Sequence, residues 1–505
     1  MGIRTLIKKQ AGKLALGLAL ALCVGGIAVS DAEAAAANAA GAAAATANEF
    51  AKVNDAQAEL FAQEKKIAER QQAQAEAVKD AKPGKAFAPV SSLVVKPDAA
   101  LHMTETEVLR LVPEAKKPMV NIHKLSKEIQ FINDGGAVKL NAAIQREAQG
   151  YLLTLTAEKV QEQHTTVTVS NTGNDYTGNW RVATSYVDRN LTHKADTLGV
   201  AYVTSPSAGH VSDVKQGAIA YRLPTGLDAD AVVVTASYSD VDLGSIYHDS
   251  IFDTSADGKG FTAGLHYQHH QAYTSREKDG WDFGINYWNL KNKYNYYMSG
   301  RNVYAPEQKY DVTTGSIMFQ HNDRDEHHSF SYQAGIETNL GHAGGDVFGS
   351  DKTFQLYKAG ISYNYRTDND WIFSVRGEGQ YSKNDVLPAL QIGAGGRASV
   401  RGFAERAIAA DKGIVGTAEI YTPQFAQGSR FLVFCDAAQL SNNDAGRRDV
   451  MFDSKGIASW GIGYRYQAPN GRTSVAIDYA DIIKDVDKDW HQQHKRWNIQ
   501  FSVNF

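Results

Sequence analysis

The sequence predicts an all-β transmembrane barrel of about sixteen antiparallel strands. A small α+β domain and an N-terminal helix precede it. Three observations carry this expectation. From Thr165 to Phe505, apolar and polar residues alternate in segments of about ten residues, the length of a membrane-crossing strand. One face of these segments is rich in aromatics while the other carries charges, the pattern of lipid-facing and lumen-facing positions. Long polar connections alternate with short ones, and the chain ends on an aromatic, Phe505, at the close of its last strand.

The elements follow in chain order. Arg4, Lys8, Lys9 and Lys13 precede a short apolar run at 14–29, and Ala32-Glu33-Ala34 offers a small-x-small cleavage site. Residues 1–34 therefore read as a secretory signal peptide. Cys23 lies inside it behind the bulky Leu22, which disfavours a lipoprotein site. Residues 35–84 hold an alanine-rich stretch and a polar helix over 49–79. Its apolar positions are sparse (Phe50, Val53, Leu60, Phe61), and Pro83-Gly84 ends it. It reads as a solvated spacer or as a helix lodged inside something polar.

No later run approaches the roughly 18 apolar residues of a spanning helix. With a formal net charge of −4, the chain has no nucleic-acid footprint. Once the leader is removed only Cys435 remains, so no internal disulfide forms, and no Cys/His metal spacing accompanies it. Export leaves two classes, a soluble exported protein or an outer-membrane barrel.

Residues 85–163 read as one small domain. A strand is expected over 87–95. Thr104-Glu105-Thr106-Glu107 is a capping-box pattern opening a helix through Val108, Leu109 and Val112. A second helix follows Asn121, with Ile122, Leu125, Ile129 and Ile132 on one face, and Gly135-Gly136 ends it. Strands at 138–144 and 151–160 complete the order β-α-α-β-β.

Residues 164–505 form the expected barrel. Trp371, Phe373, Val375 and Tyr381 alternate with Ile372, Ser374, Arg376, Glu378 and Gln380; Trp497, Ile499, Phe501, Val503 and Phe505 alternate with Asn498, Gln500, Ser502 and Asn504. Closure is required because no unpaired strand edge can face lipid. The eleventh strand is expected to end near Lys383 and the twelfth to start near Gly413. The stretch "GGRASVRGF" lies between them, in the sixth connection on the side away from the small domain. Barrels of this size leave a water-filled channel, and an open channel would make the membrane leak.

Within that frame, "SVRGF" resembles the VRG-F/Y loop tip of the POTRA-barrel transporters, most closely the two-partner secretion branch, the hemolysin secretion/activation proteins. Gly393, Gly395 and Gly396 before it and "ADKGIVGTAEIYTPQ" after it fit the same pattern. "FLVFCDAAQL" carries the family's F-x-D motif as Phe434-Cys435-Asp436 on the thirteenth strand. "VTVSNTGNDYTGNW" is similar to the family's first barrel hairpin, and the β-α-α-β-β unit to a POTRA domain. The branch usually carries two such domains, and this chain shows one. The helix at 49–79 is similar in placement to the branch's plug helix.

The resemblance implies that the loop around 393–407 folds into the lumen, with Val400, Arg401, Gly402 and Phe403 as its transport motif. It also implies a secreted, unfolded, β-rich exoprotein as cargo and strand addition on the POTRA-like domain as its capture. Outer-membrane lipid surrounds such a barrel, the barrel assembly machinery inserts it, and Phe505 would be its assembly signal. Parity agrees about the loop's partner. Asp436 shares a face with Leu432 and Phe434, and a charge does not face lipid cheaply, so it points inward, where Arg401 offers it a planar fork. Arg376, Glu378, Glu419, Arg465 and Asp478 are lumen candidates by the same parity.

No cofactor, metal site or enzyme activity is expected. His266, His269, His270, His321, His327 and His328 read as histidines at polar strand ends; Asp323 and Asp325 sit in a turn; and no nucleophile elbow appears. Three functions fit the residues: secretion of an exoprotein partner, assembly of membrane proteins, and, last, a diffusion porin. The capture edge of the small domain is expected near Leu93 or in the groove beside the second helix.

Overall fold

The computed structural model describes residues 87–160, 163–173, 177–211, 213–248, 252–298, 301–304, 307–345, 351–443, 452–485 and 494–505. The signal peptide, the alanine-rich stretch and the polar helix at 49–79 lie outside these residues. The small domain comes first: β1 (Phe87–Pro97), α1 (Glu105–Leu111), β2 (Met119–Asn121), α2 (Ile122–Gly135), β3 (Val138–Glu147) and β4 (Gly150–Lys159). Local chemistry sets the helix ends. The Thr104 side chain accepts from the Glu107 amide, and the Glu107 carboxylate accepts from the Thr104 amide at 2.7 Å, a complete capping box. Asn121 caps α2 by accepting from the amides of His123 and Lys124, and Gly136 ends it at a φ of 68°.

The sheet order is β2-β1-β4-β3, with β1 and β4 parallel. β2 covers only Phe87–Pro89 of β1, so no described strand lies beside Leu93 on that side and the expected edge there stays open. Leu93 lies on β1, which has β4 on one side and short β2 at the start of the other. The sheet edge that stays open along a whole strand is β3, exposed from Asn141 to Glu147.

Sixteen spanning strands then close into one antiparallel barrel. Counted in chain order, the first is Gln163–Ser170, the eleventh Ile372–Tyr381, the twelfth Lys412–Tyr421, the thirteenth Ser429–Ser441, the fourteenth Ser454–Gln467, the fifteenth Thr473–Lys484 and the sixteenth Trp497–Asn504. The last strand pairs antiparallel with the first. Apolar side chains point outward. Phe283, Ile285, Trp460, Ile462 and Trp497 are exposed, whereas Gln216, Ser237, Thr262 and Thr314 on the inner face are buried. Among the described residues no helix is long and apolar enough to cross a membrane; this chain crosses with strands.

Strands five to eight run far past their neighbours. The sixth and seventh each have 22 residues, and the fifth and eighth 18. Only about ten are needed to cross, so this sector stands above the rim at the end away from the small domain.

The domain docks on the short turns at the opposite end. Phe131 of α2 meets Tyr273 edge-on at 5.3 Å and His270 at 5.3 Å, and the Arg222 guanidinium covers its ring at 4.6 Å. Lys278 pairs with Asp134 at 2.6 Å and Lys127 with Asp228 at 3.2 Å. Gly226 has a φ of 72°, and a Cβ there would lie 2.2 Å from the Arg110 carbonyl oxygen. Only glycine permits that approach of barrel turn to domain.

Glu128 of α2 is buried, and one of its oxygens accepts from the Glu114 amide at 3.1 Å. Burial pushes its carboxyl up to about 7. The folded value lies above the unfolded one, so the favourable contribution is complete below pH 4.5 and is lost as the pH rises through about 7. Glu128→Gln should therefore raise the melting temperature of the domain at pH 8 by several degrees and change it little at pH 5. Thermal unfolding of the whole chain at the two pH values measures this, and an equal shift at both would show that Glu128 is not the titrating group.

Candidate transport site in the barrel lumen

The connection between the eleventh and twelfth strands, residues 382–411, turns into the barrel. Two apolar clusters hold it there. Val386, Leu387 and Leu390 pack on the inward side chains Leu290, Val312 and Leu356. Ile392, Val400, Phe403 and Ile408 pack on Val415, Ala438, Leu440 and Ile457 of strands twelve to fourteen. The loop also makes its own sheet, Ile392–Ala394 against Ile408–Ala410. A long connection without such anchors would be too costly in entropy to hold at one depth.

The glycines have distinct roles. Gly395 and Gly396 have φ values of 125° and 91°, and an added Cβ would lie 2.4 Å from the Ala404 carbonyl oxygen and 2.0 Å from the Glu405 carboxylate. Gly402 has a φ of 96°. Gly393 has no such backbone demand; it is buried in the loop's small sheet. Ser399 fastens the turn, its hydroxyl accepting from the Gly395 amide at 2.9 Å and donating to the Gly395 carbonyl at 2.8 Å.

At the tip, Arg401 is 1% exposed. Its Nε donates to Asp436 Oδ2 at 2.7 Å and its Nη2 to Oδ1 at 2.8 Å, a bidentate fork. The Arg401 amide also donates to Oδ2 at 3.1 Å. Nη1 reaches Glu419 on the twelfth strand at 2.8 Å and Asp478 on the fifteenth at 3.7 Å. The guanidinium lies 3.4 Å from the ring centre of Phe434, so both members of the F-x-D pair touch it. Arg465 holds Asp478 with hydrogen bonds of 2.7 and 3.1 Å, and the Tyr421 hydroxyl donates to Glu419 at 2.6 Å. Two guanidinium groups thus face three carboxylates.

The structure brings Val400, Arg401, Gly402, Phe403, Phe434 and Asp436 together, with Val400 and Phe403 wholly buried. Phe505 is apart from them. It is exposed at the chain end, and its amide donates to the Thr165 carbonyl at 2.8 Å. Sequence parity placed Glu419, Arg465 and Asp478 in the lumen without showing that they join Arg401. It gave no sign that Gly402–Phe403 would pair antiparallel with His494–Lys495 in the connection before the last strand. Phe403 also meets the His494 ring edge-on at 5.9 Å.

The histidines lie elsewhere. His266 bonds Asp282 at 2.7 Å, His269 bonds Asp230 at 2.8 Å, and His328 bonds Asp325 at 2.9 Å. Among the described residues the one group of potential metal ligands is Glu277, Asp279 and His321, at the turn end of the barrel and far in the fold from the loop.

Comparison with known proteins follows the same geometry. The family profile of haemolysin secretion/activation protein ShlB/FhaC/HecB matches residues 152–466. Among solved structures, CdiB from Escherichia coli is similar with a TM-score of 0.67 at 17% identity, covering 83% of this chain and 77% of that one. CdiB from Acinetobacter baumannii gives 0.64 at 16% identity, covering 83% and 74%. BamA from Haemophilus ducreyi lacking POTRA domains 1-3 gives 0.52 at 14% identity, covering 82% and 84%. These likenesses show a shared fold. No curated protein sequence matches.

Removing one partner of a buried pair costs about 3–5 kcal/mol. That is small for a closed barrel of this size, so Arg401→Ala and Asp436→Ala should leave the barrel assembled and the loop displaced. Heat-modifiable migration should be unchanged while single-channel conductance rises, and the double variant should differ little from either single one because the two act as a unit. Arg401→Lys should recover only part of the seating, since an ammonium has no fork. Wild-type conductance in both single variants would remove the pair from the site.

Proposed function

Because the chain belongs to the haemolysin secretion/activation protein family and is an outer-membrane transporter of two-partner secretion, we propose that the loop held by Arg401 is the gate through which its exoprotein leaves. The observation that carries this reading is the buried fork from Arg401 to Asp436, reinforced by Glu419. A guanidinium surrounded by carboxylates fixes the loop tip at one depth, and the contacts are polar, so an entering chain and water can replace them. Apolar anchoring alone would leave no exchangeable partner for the tip.

The remaining parts take complementary roles. The Phe87–Lys159 unit is a single POTRA-like domain on the periplasmic side, and its open β3 edge receives the unfolded, β-rich exoprotein by strand addition. Main-chain bonds then give affinity, and alternate side chains give selectivity. The groove beside α2 is a weaker choice, because Phe131, Asp134 and Lys127 of that helix face the barrel turns. Phe505 is the signal read by the barrel assembly machinery. Aromatic and aliphatic outward residues meet outer-membrane lipid.

Deleting the gene should abolish release of one large exoprotein while other outer-membrane proteins keep their levels. Normal secretion after deletion would sink the reading, and a general loss of outer-membrane proteins would select an assembly factor instead. Proline at Ala142 or Ala143, whichever amide points away from β4, should lower secretion at least severalfold with the barrel still heat-modifiable. Unchanged secretion from both variants would leave the domain as a spacer.

A further inference from the structure

The outer face of strands seven (Glu277–Met298) and eight (Glu307–Arg324) changes character toward the small domain. Successive outward pairs in register are Phe283 with Ile317, Trp281 with Phe319, Asp279 with His321 and Glu277 with Asp323. Phe283 and Ile317 are exposed, as lipid-facing residues are. The Trp281 and Phe319 rings meet edge-on at 5.0 Å. Beyond them the His321 ring lies 5.0 Å from Tyr332 and 6.1 Å from Phe330, both on strand nine (His328–Asn339). Such aromatics mark the level where hydrocarbon gives way to headgroups. Past that level the outward row is polar, and an imidazole stands among carboxylates.

The nearby carboxylates divide into two kinds. Asp323 accepts from Arg276 Nε at 3.0 Å and lies 3.6 Å from His328, and His328 pairs with Asp325 at 2.9 Å. Those acids are matched by cationic groups. Among the described residues, Asp279 has His321 as its one ion-pair partner, with 2.5 Å between Oδ1 and Nδ1, and the Glu277 carboxylate has none. Lys278 lies between the two acids in sequence but turns to the other face, where it pairs with Asp134 of α2 at 2.6 Å. Two carboxylates therefore share one imidazole.

This is a metal-binding geometry. One donor atom from each of Glu277, Asp279 and His321 lies within 4.8 Å of the other two. Around a tetrahedral zinc such donors stand about 3.4 Å apart. Asp279 and His321 are already that close, and Glu277 is exposed, so rotation of one unrestrained side chain completes the set. An imidazole with two carboxylates suits Zn2+, whereas Mg2+ and Ca2+ prefer oxygen alone. Sequence spacing does not announce the site, because His321 comes from 42 positions beyond Asp279 and meets it only across the ladder.

We propose that Glu277, Asp279 and His321 form a Zn2+ site on the outer wall of the barrel, at the rim nearest the small domain. The metal takes the place of the proton between His321 and Asp279, and water fills its open position. Strand seven leads back here to strand six (Phe252–Tyr273), and strand eight leads on to strand nine. The ion thus ties two hairpins together, beside the lysine that holds the docked domain. None of this depends on the secretion reading above.

The test uses the full chain without a histidine tag, purified in detergent, stripped with a chelator and titrated with Zn2+ by calorimetry at neutral pH. One equivalent should bind, and Co2+ in its place should give the visible absorption of a tetrahedral nitrogen–oxygen site. His321→Ala and Asp279→Asn should weaken Zn2+ binding by about tenfold or more, and Glu277→Gln severalfold. His328→Ala, which removes the neighbouring histidine, should leave the affinity unchanged. Zn2+ should raise the melting temperature of the wild type and not of His321→Ala. Heat-modifiable migration checks that each variant is assembled. If His321→Ala fails to assemble, Glu277→Gln, a change at an exposed side chain, decides by the same titration. Zn2+ affinity indifferent to the three ligand substitutions, an equal loss in His328→Ala, or displacement of Zn2+ by excess Mg2+ would overturn the proposal.

Discussion

A backbone amide in hydrocarbon has no water to bond, and this one constraint orders the structure. It forces the spanning strands into a closed ring, because every edge must be paired. Closure fixes the parity of each strand, which sends Phe283 and Trp460 outward and Thr262 and Ser237 inward. A ring of sixteen is too wide for its own side chains to fill. The protein fills part of the space with a piece of chain, and that piece must bring its own hydrogen bonds. Hence the small sheet of Ile392–Ala394 and Ile408–Ala410, and the turn closed by Ser399.

Charge burial follows from the same filling. Arg401 is removed from water by a loop that apolar contacts have already placed, and its cost is offset by the carboxylates that converge on it. The division of labour is physical. The clusters around Leu387 and Ile408 set where the loop rests, and the guanidinium sets how deep its tip sits. A hydrophobic tip would be held as firmly but could not exchange its partners for water.

Much of this was legible in the sequence. The capping box at Thr104, the Asn121 cap and the Gly136 stop are local signals, and local signals survive folding. Period-two alternation put the strand count at about sixteen and placed Asp436 on the inward face, because parity along a strand is not a tertiary property. The lengths of strands five to eight were not visible, since their projecting ends lose the contrast between lipid and lumen that creates the period. Short β2 was missed because three residues carry no period at all. The second open edge, along β3, was not foreseen, because sheet order depends on which strand returns beside which. The bonds from Arg397 to Gln500 and from Phe403 to His494 join residues about a hundred positions apart, and nothing near either end announces them.

The short tie between β4 and the first barrel strand has a quantitative meaning. Only residues 160–162 separate Lys159 from Gln163, a reach of about 14 Å at most. A polypeptide held on this domain meets the barrel mouth at the effective concentration of a tightly tethered ligand, on the order of millimolar. Under the proposed capture, entry into the pore is an intramolecular event, independent of how dilute the cargo is in the surrounding compartment, and the first contact alone carries the burden of finding it.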